Sequence, residues 1–399
     1  MDILERFLKY VSFDTQSSED SNTFPSTLKQ HKLADFLVNE LQNLGVSNAF
    51  KDEYSYVYAH IPGKLNKRIG LIAHLDTALE VSGANIKTNI INNYDGQDLT
   101  LNNGIVISNN EYPFLKQIKG HQIVTTDGNT LLGADDKAGI AIIMSVVEKI
   151  LSSFDDFPTI YIAFTPDEEV GNGTLHFNYD YFKVDFAYTI DGGPINYINY
   201  ENFNAASASI KVNGKSIHPG SAKNKMVNSL MVAMEFDRLL PEKSRPEYTE
   251  GHEGFNHLND INGGVSETHM NYIIRNHNFE LFEQQKTDFI NAKTYLNTKY
   301  GYNVIELTIT DSYRNMKELI LPHPEILDYP INALKKFHLN PVMEPIRGGT
   351  DGARLSYEGI LCPNLGTGSY NHHGPMEIAD ITDMEKMVKI ITYMLSSIK

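Results

Sequence analysis

The chain has 399 residues, of which 41% are hydrophobic and 21% charged, with a formal net charge of −16 and one cysteine, Cys362. At roughly 100–200 residues per domain, this length gives two or three domains with a core that needs no staples. The acidic balance excludes a general nucleic-acid binder, which needs a basic footprint. The lone cysteine excludes an intramolecular disulfide, as suits a reducing compartment.

The stretch Met1 to Asp14 mixes acids, bases and apolar residues at helical spacing, without the basic-then-apolar layout of a secretory signal. The expected address is the cytoplasm. Helical spacing predicts a first helix over Ile3 to Val11 and a second over about Lys32 to Leu44, with Leu33, Phe36, Leu37 and Leu41 on one face. Arg68-Ile-Gly-Leu-Ile-Ala reads as a buried strand that ends at His74. Residues 80–120 are polar and Asn-rich, and read as an elaborated surface region.

The strand-then-helix pattern then recurs. Leu131-Leu-Gly-Ala leads into Asp135 and a helix with Ile140, Ile143, Met144, Val147 and Ile150 on one face. Its apolar run, Ala138 to Val147, is half of what a membrane span needs, so no membrane partner is expected. Thr159-Ile-Tyr-Ile-Ala-Phe is a β-rich run ending in Pro166-Asp-Glu-Glu, and Phe186-Ala-Tyr-Thr-Ile ends in Asp191-Gly-Gly. Apolar runs alternating with helices predict an α/β fold with a mostly parallel mixed sheet covered on both faces.

After about Ala206 the texture changes. A strand over Ser207 to Val212 precedes a helix over Lys225 to Leu240 and β segments around Gly254–His257 and Ser266–Ile274. A helix over about Leu281 to Lys299 and a strand over Val304 to Thr310 complete the series. That order is the split βαβ pattern of a ferredoxin-like α+β domain. The expected organisation is a larger domain made of 1–205 and 317–399, carrying an insertion over 206–316. Cys362, in the apolar Gly359-Ile-Leu-Cys-Pro, is expected to be a buried structural thiol.

The acidic and histidine residues fall at the ends of these runs. His74 and Asp76 follow one strand, Asp135 the next, Glu168-Glu169 and Asp191 two more, and His373 follows the apolar run through Leu361–Leu365. In open α/β sheets ligands gather at the carboxyl ends of the strands, where such residues converge. Each alone has a plainer reading: Asp135-Asp136 as a cap, Glu168-Glu169 as a helix N-terminal pair, Asp191-Gly-Gly as a turn. Together, four crowded carboxylates would resist ionisation, and a pair of divalent cations removes that problem. Carboxylates and imidazoles suit Zn²⁺, with Mn²⁺ or Co²⁺ as alternatives. Two such metals can hold a hydroxide and polarise a carbonyl, with a further carboxylate to carry the proton. Glu168 and Glu169 can supply one base and one ligand, and Asp76 is placed to accept from the second nitrogen of His74.

Ile72-Ala-His-Leu-Asp-Thr, Gly133-Ala-Asp-Asp-Lys-Ala-Gly, Thr165-Pro-Asp-Glu-Glu-Val-Gly and Asp191-Gly-Gly resemble the metallopeptidase M20 family in order and spacing. Thr125-Thr-Asp-Gly, Glu201-Asn-Phe-Asn-Ala, His218-Pro-Gly, Ile346-Arg-Gly-Gly-Thr-Asp-Gly and Asn371-His-His-Gly extend the resemblance, which runs over essentially the whole chain, to its tripeptide-aminopeptidase branch. The resemblance implies a metal-dependent aminopeptidase that releases the N-terminal residue of tripeptides. It implies one metal on His74, Asp135 and Asp191, another on Asp135, Glu169 and His373, Glu168 as general base and Asp76 orienting His74. The doublet His372-His373 departs from the family's single His before the Gly, which leaves His372 as an alternative ligand.

The resemblance further makes the insertion a lid and, in some branches, a homodimer contact. It offers His218 for the developing oxyanion, and Arg275 and Arg347 for the peptide's terminal carboxylate. Dipeptidases, carboxypeptidases and N-deacylases of the same family share this metal chemistry and remain the alternatives. A non-catalytic peptide binder on the same fold is the other class.

Overall fold

The computed structural model describes residues 1–153 and 156–398. The chain divides into two compact units, one made of Met1–Tyr200, Glu318–Glu344 and Thr350–Lys399, the other of Glu201–Lys317 and Pro345–Gly349.

The first unit is an α/β layer structure on an eight-stranded mixed sheet. Across the sheet lie Phe50–Lys51, Val57–Ile61, Pro158–Thr165, Leu65–His74, Phe186–Thr189, Asn364–Leu365, Tyr197–Asn199 and Val342–Met343. The central strands Pro158–Thr165, Leu65–His74, Phe186–Thr189 and Asn364–Leu365 are parallel neighbours. Their carboxyl ends therefore open on one edge. Parallel strands are buried on both faces, and Ile69, Leu71, Ile72 and Ala73 are all inaccessible to solvent. Alternate residues face opposite ways. Ile72, Ala163 and Ala187 point into an aromatic cluster with Tyr56, Tyr58, Phe177 and Phe182. The helix Ala134–Ser152 packs on Leu65–His74, flanked by the helices Ile3–Val11 and Ile381–Ser397.

The elaborated region 80–120 contains the short strands Thr88–Ile91, Leu99–Thr100 and Val106–Ile107. Thr88–Ile91 pairs with Ile123–Thr126, which pairs with Ile378–Asp380 and through it with Ser369–Tyr370. A small core of Tyr94, Leu99, Leu101, Ile107, Leu115 and Ile118 supports this second sheet. Its apolar residues are scattered among asparagines, which is why periodicity does not reveal it.

The second unit is the ferredoxin-like α+β fold. Its four antiparallel strands lie in the order Phe255–Gly263, Glu267–Asn276, Asn204–Asn213, Ile305–Tyr313. The helices Ser229–Leu239 and Phe279–Tyr300 cover one face through Phe236, Phe282, Phe289 and Leu296, which meet Ile210, Met270 and Ile274 of the strands. The first of these helices starts at Ser229 rather than at Lys225, because Asn228 caps it by accepting from Leu230 N. Among the described residues no helix is long and apolar enough to cross a membrane.

Candidate metal centre

His74 is the last residue of its strand, and Asp76 lies two residues beyond it on the same edge. The imidazole Nδ1 lies 3.1 Å from the Asp76 carbonyl and 3.3 Å from its carboxylate. Nε2 points the other way, 2.9 Å from Asp135 Oδ1 and 3.9 Å from Asp191 Oδ1. Asp135 is presented by backbone outside helical geometry, with φ −84° and ψ 105°. Asp136 then accepts from Gly139 N at 3.2 Å and from His74 N at 3.1 Å. This bears out the cap reading for Asp136 and frees Asp135. A Cβ on Gly139 would lie 1.9 Å from the Ile190 carbonyl oxygen. Only glycine lets the helix come this close to the segment bearing Asp191.

Glu168 and Glu169 sit in a turn, not at a helix start. Asp76 grips that turn, because its two carboxylate oxygens accept Glu168 N at 3.0 Å and Glu169 N at 3.1 Å. Asp167, at φ 57°, enters the turn with its own carboxylate accepting from Ser26 N, Ser26 Oγ and Gln30 Nε2. Gln30 Oε1 accepts Asp167 N in return, at 3.1 Å. Ser26 and Gln30 lie outside the sequence reading, while Asp167 and the buried Asp351, which accepts from Thr165 Oγ1 at 2.8 Å, stand in its motifs without an assigned role. Contacts between residues so far apart in the chain leave no local pattern that would have flagged Ser26 and Gln30. The motifs around Asp167 and Asp351 were the available signals.

His373 does not follow the main-sheet strand directly. It lies in the turn between Ser369–Tyr370 and Ile378–Asp380 of the second sheet, at φ 62°. Its Nε2 is 3.1 Å from Glu169 Oε2 and 3.4 Å from Asp135 Oδ2, and its Nδ1 is 3.3 Å from Glu80. His372 turns its Nε2 onto Ser369 Oγ at 2.7 Å, with Nδ1 at 3.6 Å from Asp135.

Two donor triads result: His74, Asp135 and Asp191, and Asp135, Glu169 and His373, with donor atoms in each within 4.8 Å of one another. Burial and the neighbouring Asp135 push Asp191 up to about 7 and Glu169 up to about 7. Burial, with Asp191, Asp351 and Glu169 nearby, raises Glu168 well above the carboxylate range. Hydrogen bonds to Asp135 and Glu169 push His373 up to about 12. Acids that resist ionisation beside imidazoles that hold their protons are a charge problem that two divalent cations resolve. Glu169 Oε1, buried without a hydrogen-bond partner, is an acceptor that a cation would satisfy. The donors therefore fit two metal ions. A third group, His121, Asp380 and Asp383, lies within the same limit. There Asp380 accepts from His121 Nδ1 at 2.6 Å and caps a helix at Asp383 N.

His218, Arg275 and Arg347 belong to the second unit. His218 precedes the short turn Pro219–Ser221, and its Nδ1 accepts from Gly220 N at 3.2 Å. Arg275 Nη1 donates to the carbonyls of Ala206 and Ile274, and its guanidinium lies 5.4 Å over Tyr313. Arg347 donates to the carbonyls of Gly251 and Glu253 and to Thr249 Oγ1, and lies 5.1 Å over Phe203. Cys362 is buried and free, and burial raises its thiol far above the usual value.

Residues 200–301 match the peptidase dimerisation domain. Over 397 residues the chain is 49% identical to Peptidase T of Alkaliphilus oremlandii, covering 98% of this chain and 97% of that protein. It is 48% identical over 396 residues to Peptidase T of Clostridium acetobutylicum, with the same coverage. Among solved structures it is similar to the aminopeptidase PepT from Bacillus cereus, with TM-score 0.79 and 19% identity over 99% of this chain and 97% of that one. A dinuclear metal-binding peptidase of the M20 family from Bacillus subtilis shares the fold at TM-score 0.65 and 13% identity, over 99% and 96% of the two chains.

Proposed function

The chain belongs to the peptidase T family, within the M20 metallopeptidases, and is an aminopeptidase; we propose that it releases the N-terminal residue of tripeptides, with Glu168 as the proton carrier. The near full-length identity to Peptidase T carries the choice of reaction, and the sharing of Asp135 between two donor triads supports the metal centre. His74, Asp135 and Asp191 would hold one cation, and Asp135, Glu169 and His373 the other. Zn²⁺ is the first choice for this mix of nitrogen and oxygen donors, with Co²⁺ or Mn²⁺ next. Two divalent cations supply a water acidic enough to ionise near neutral pH and a Lewis acid for the scissile carbonyl.

Glu168 stands outside both triads, buried among acids, and so holds a proton more readily than an ordinary carboxyl. It takes the proton of the attacking water at a carboxylate oxygen and delivers it to the departing amine nitrogen. Asp76 fixes the Glu168 and Glu169 amides together with the His74 ring, so one carboxylate aligns base and ligands. On the second unit, His218 accepts from Gly220 N at Nδ1, which leaves Nε2 as the nitrogen for the developing oxyanion. Arg275 and Arg347 are the candidate partners of the substrate carboxylate. The dimerisation-domain match supports a homodimer through the second unit.

The test is a length series of unblocked peptides with Zn²⁺, Mn²⁺ or Co²⁺, products followed by mass. Release of the first residue only, fastest from tripeptides and abolished by chelation, is the expected result. Release from the C-terminus, or action on dipeptides or acylated amino acids alone, would move the chain to another M20 reaction. Absence of any metal-dependent amide hydrolysis would leave a peptide-binding role.

A further inference from the structure

The turn that carries His373 ends in Glu377, which is 1% exposed. Its carboxylate accepts three backbone N–H groups: Oε2 from Leu132 at 2.7 Å and Gly133 at 2.8 Å, and Oε1 from Asp135 at 3.0 Å. All three belong to the segment that presents Asp135. That segment is irregular, with Gly133 left-handed and both Asp135 and Asp136 outside helical φ/ψ. The intrahelical ladder therefore does not set where Asp135 stands. Charge-assisted bonds to a buried carboxylate are the strong kind, and a cradle of successive amides around an anion fixes backbone direction.

We propose that Glu377 is a positioning residue, which anchors the Asp135 backbone so that one carboxylate reaches both cations. The inference rests on the two-metal reading and extends it. Because Asp135 is common to both triads, loosening its backbone weakens both sites at once. Because Glu377 and His373 share one turn, the same anchor ties a donor of the second triad to the loop of the shared donor.

The test uses the full chain stripped of metal and titrated with Zn²⁺ against a chromophoric chelator. Glu377→Gln keeps the shape but replaces one acceptor oxygen with an N–H₂ donor that must face an N–H donor. Both Zn²⁺ dissociation constants are expected to rise together by roughly 10–100-fold, the usual effect of removing a residue that supports a metal ligand, with the circular dichroism unchanged. Glu40→Gln is the control. Glu40 accepts from buried Arg6 Nε at 2.8 Å and Tyr10 Oη at 2.7 Å, so its loss destabilises the same unit without touching the donors. Should Glu377→Gln not fold, Glu377→Asp, which keeps the charge and shortens the reach, is read the same way. Unchanged constants, weakening of one site alone, or an equal shift in Glu40→Gln would overturn the proposal while the two-metal reading stood. A wild-type chain that binds no Zn²⁺ would overturn both.

Discussion

At the residue scale, the proposed mechanism separates the groups that would hold metal from the group that would move a proton. Glu168 and Glu169 are adjacent, yet only Glu169 belongs to a donor triad. Glu168→Gln should therefore keep two metals per chain and lower kcat roughly a hundred- to ten-thousand-fold, the usual worth of a positioned acid–base group. Metal analysis alongside steady-state kinetics checks this, and loss of metal in the variant would place Glu168 among the ligands instead. Asp76 acts on both classes of group, through the His74 ring and through the Glu168 and Glu169 amides. Asp76→Asn leaves one of those amides facing an N–H₂, and should weaken metal binding and lower kcat together. A loss confined to KM would contradict the role. The candidate donors His74, Glu169 and Asp191, and Glu168 beside them, were legible in the sequence because each lies at or shortly after the end of an apolar run. The choice between His372 and His373 was not legible. It turns on two rings in one turn, and Ser369 engages the first of them.

At the element scale, the strand ends explain how residues far apart in sequence meet, and the exceptions are equally informative. Leu65–His74, Pro158–Thr165 and Phe186–Thr189 run parallel, so their carboxyl ends present His74, the Glu168-Glu169 turn and Asp191 along one edge. Alternating apolar runs and helices foretold this. His373 comes from a second sheet assembled from residues 88–126 and 369–380, whose short strands lack a periodic signal. Tertiary pairing, not local propensity, makes that sheet. The helix Ala134–Ser152 brings Asp135 beside Asp191 only because Gly139 lets it approach the Ile190 carbonyl. Gly139→Ala would force a Cβ against backbone that cannot swing aside. It should cost at least the ~1–3 kcal/mol of an overpacked core and weaken the site formed by His74, Asp135 and Asp191 more than its neighbour. Denaturant melts and stepwise metal titration read the two effects. Wild-type stability in the alanine variant would show that the helix can move without consequence.

At the scale of the whole molecule, the two units have separate cores and unequal shares of the chemistry. Every donor of both triads belongs to the first unit, while the second closes its own core around Phe236, Phe282, Phe289 and Leu296. A ligand stabilises only the state that binds it, by about 2.7 kcal/mol for one site at a hundredfold excess over Kd. Chelation should therefore lower the melting temperature of the first unit and leave that of the second unchanged. In a calorimetric scan the metal-loaded chain would show two overlapping transitions, and one of them would shift down on chelation and return when Zn²⁺ is restored. Limited proteolysis during the scan identifies which transition belongs to residues 201–317. If both transitions move together, the units unfold as one cooperative block, and metal binding stabilises the second unit through the first. If neither moves, the cations contribute nothing to the folded state, which is incompatible with five donors, four of them buried or half-buried, gathered in two triads.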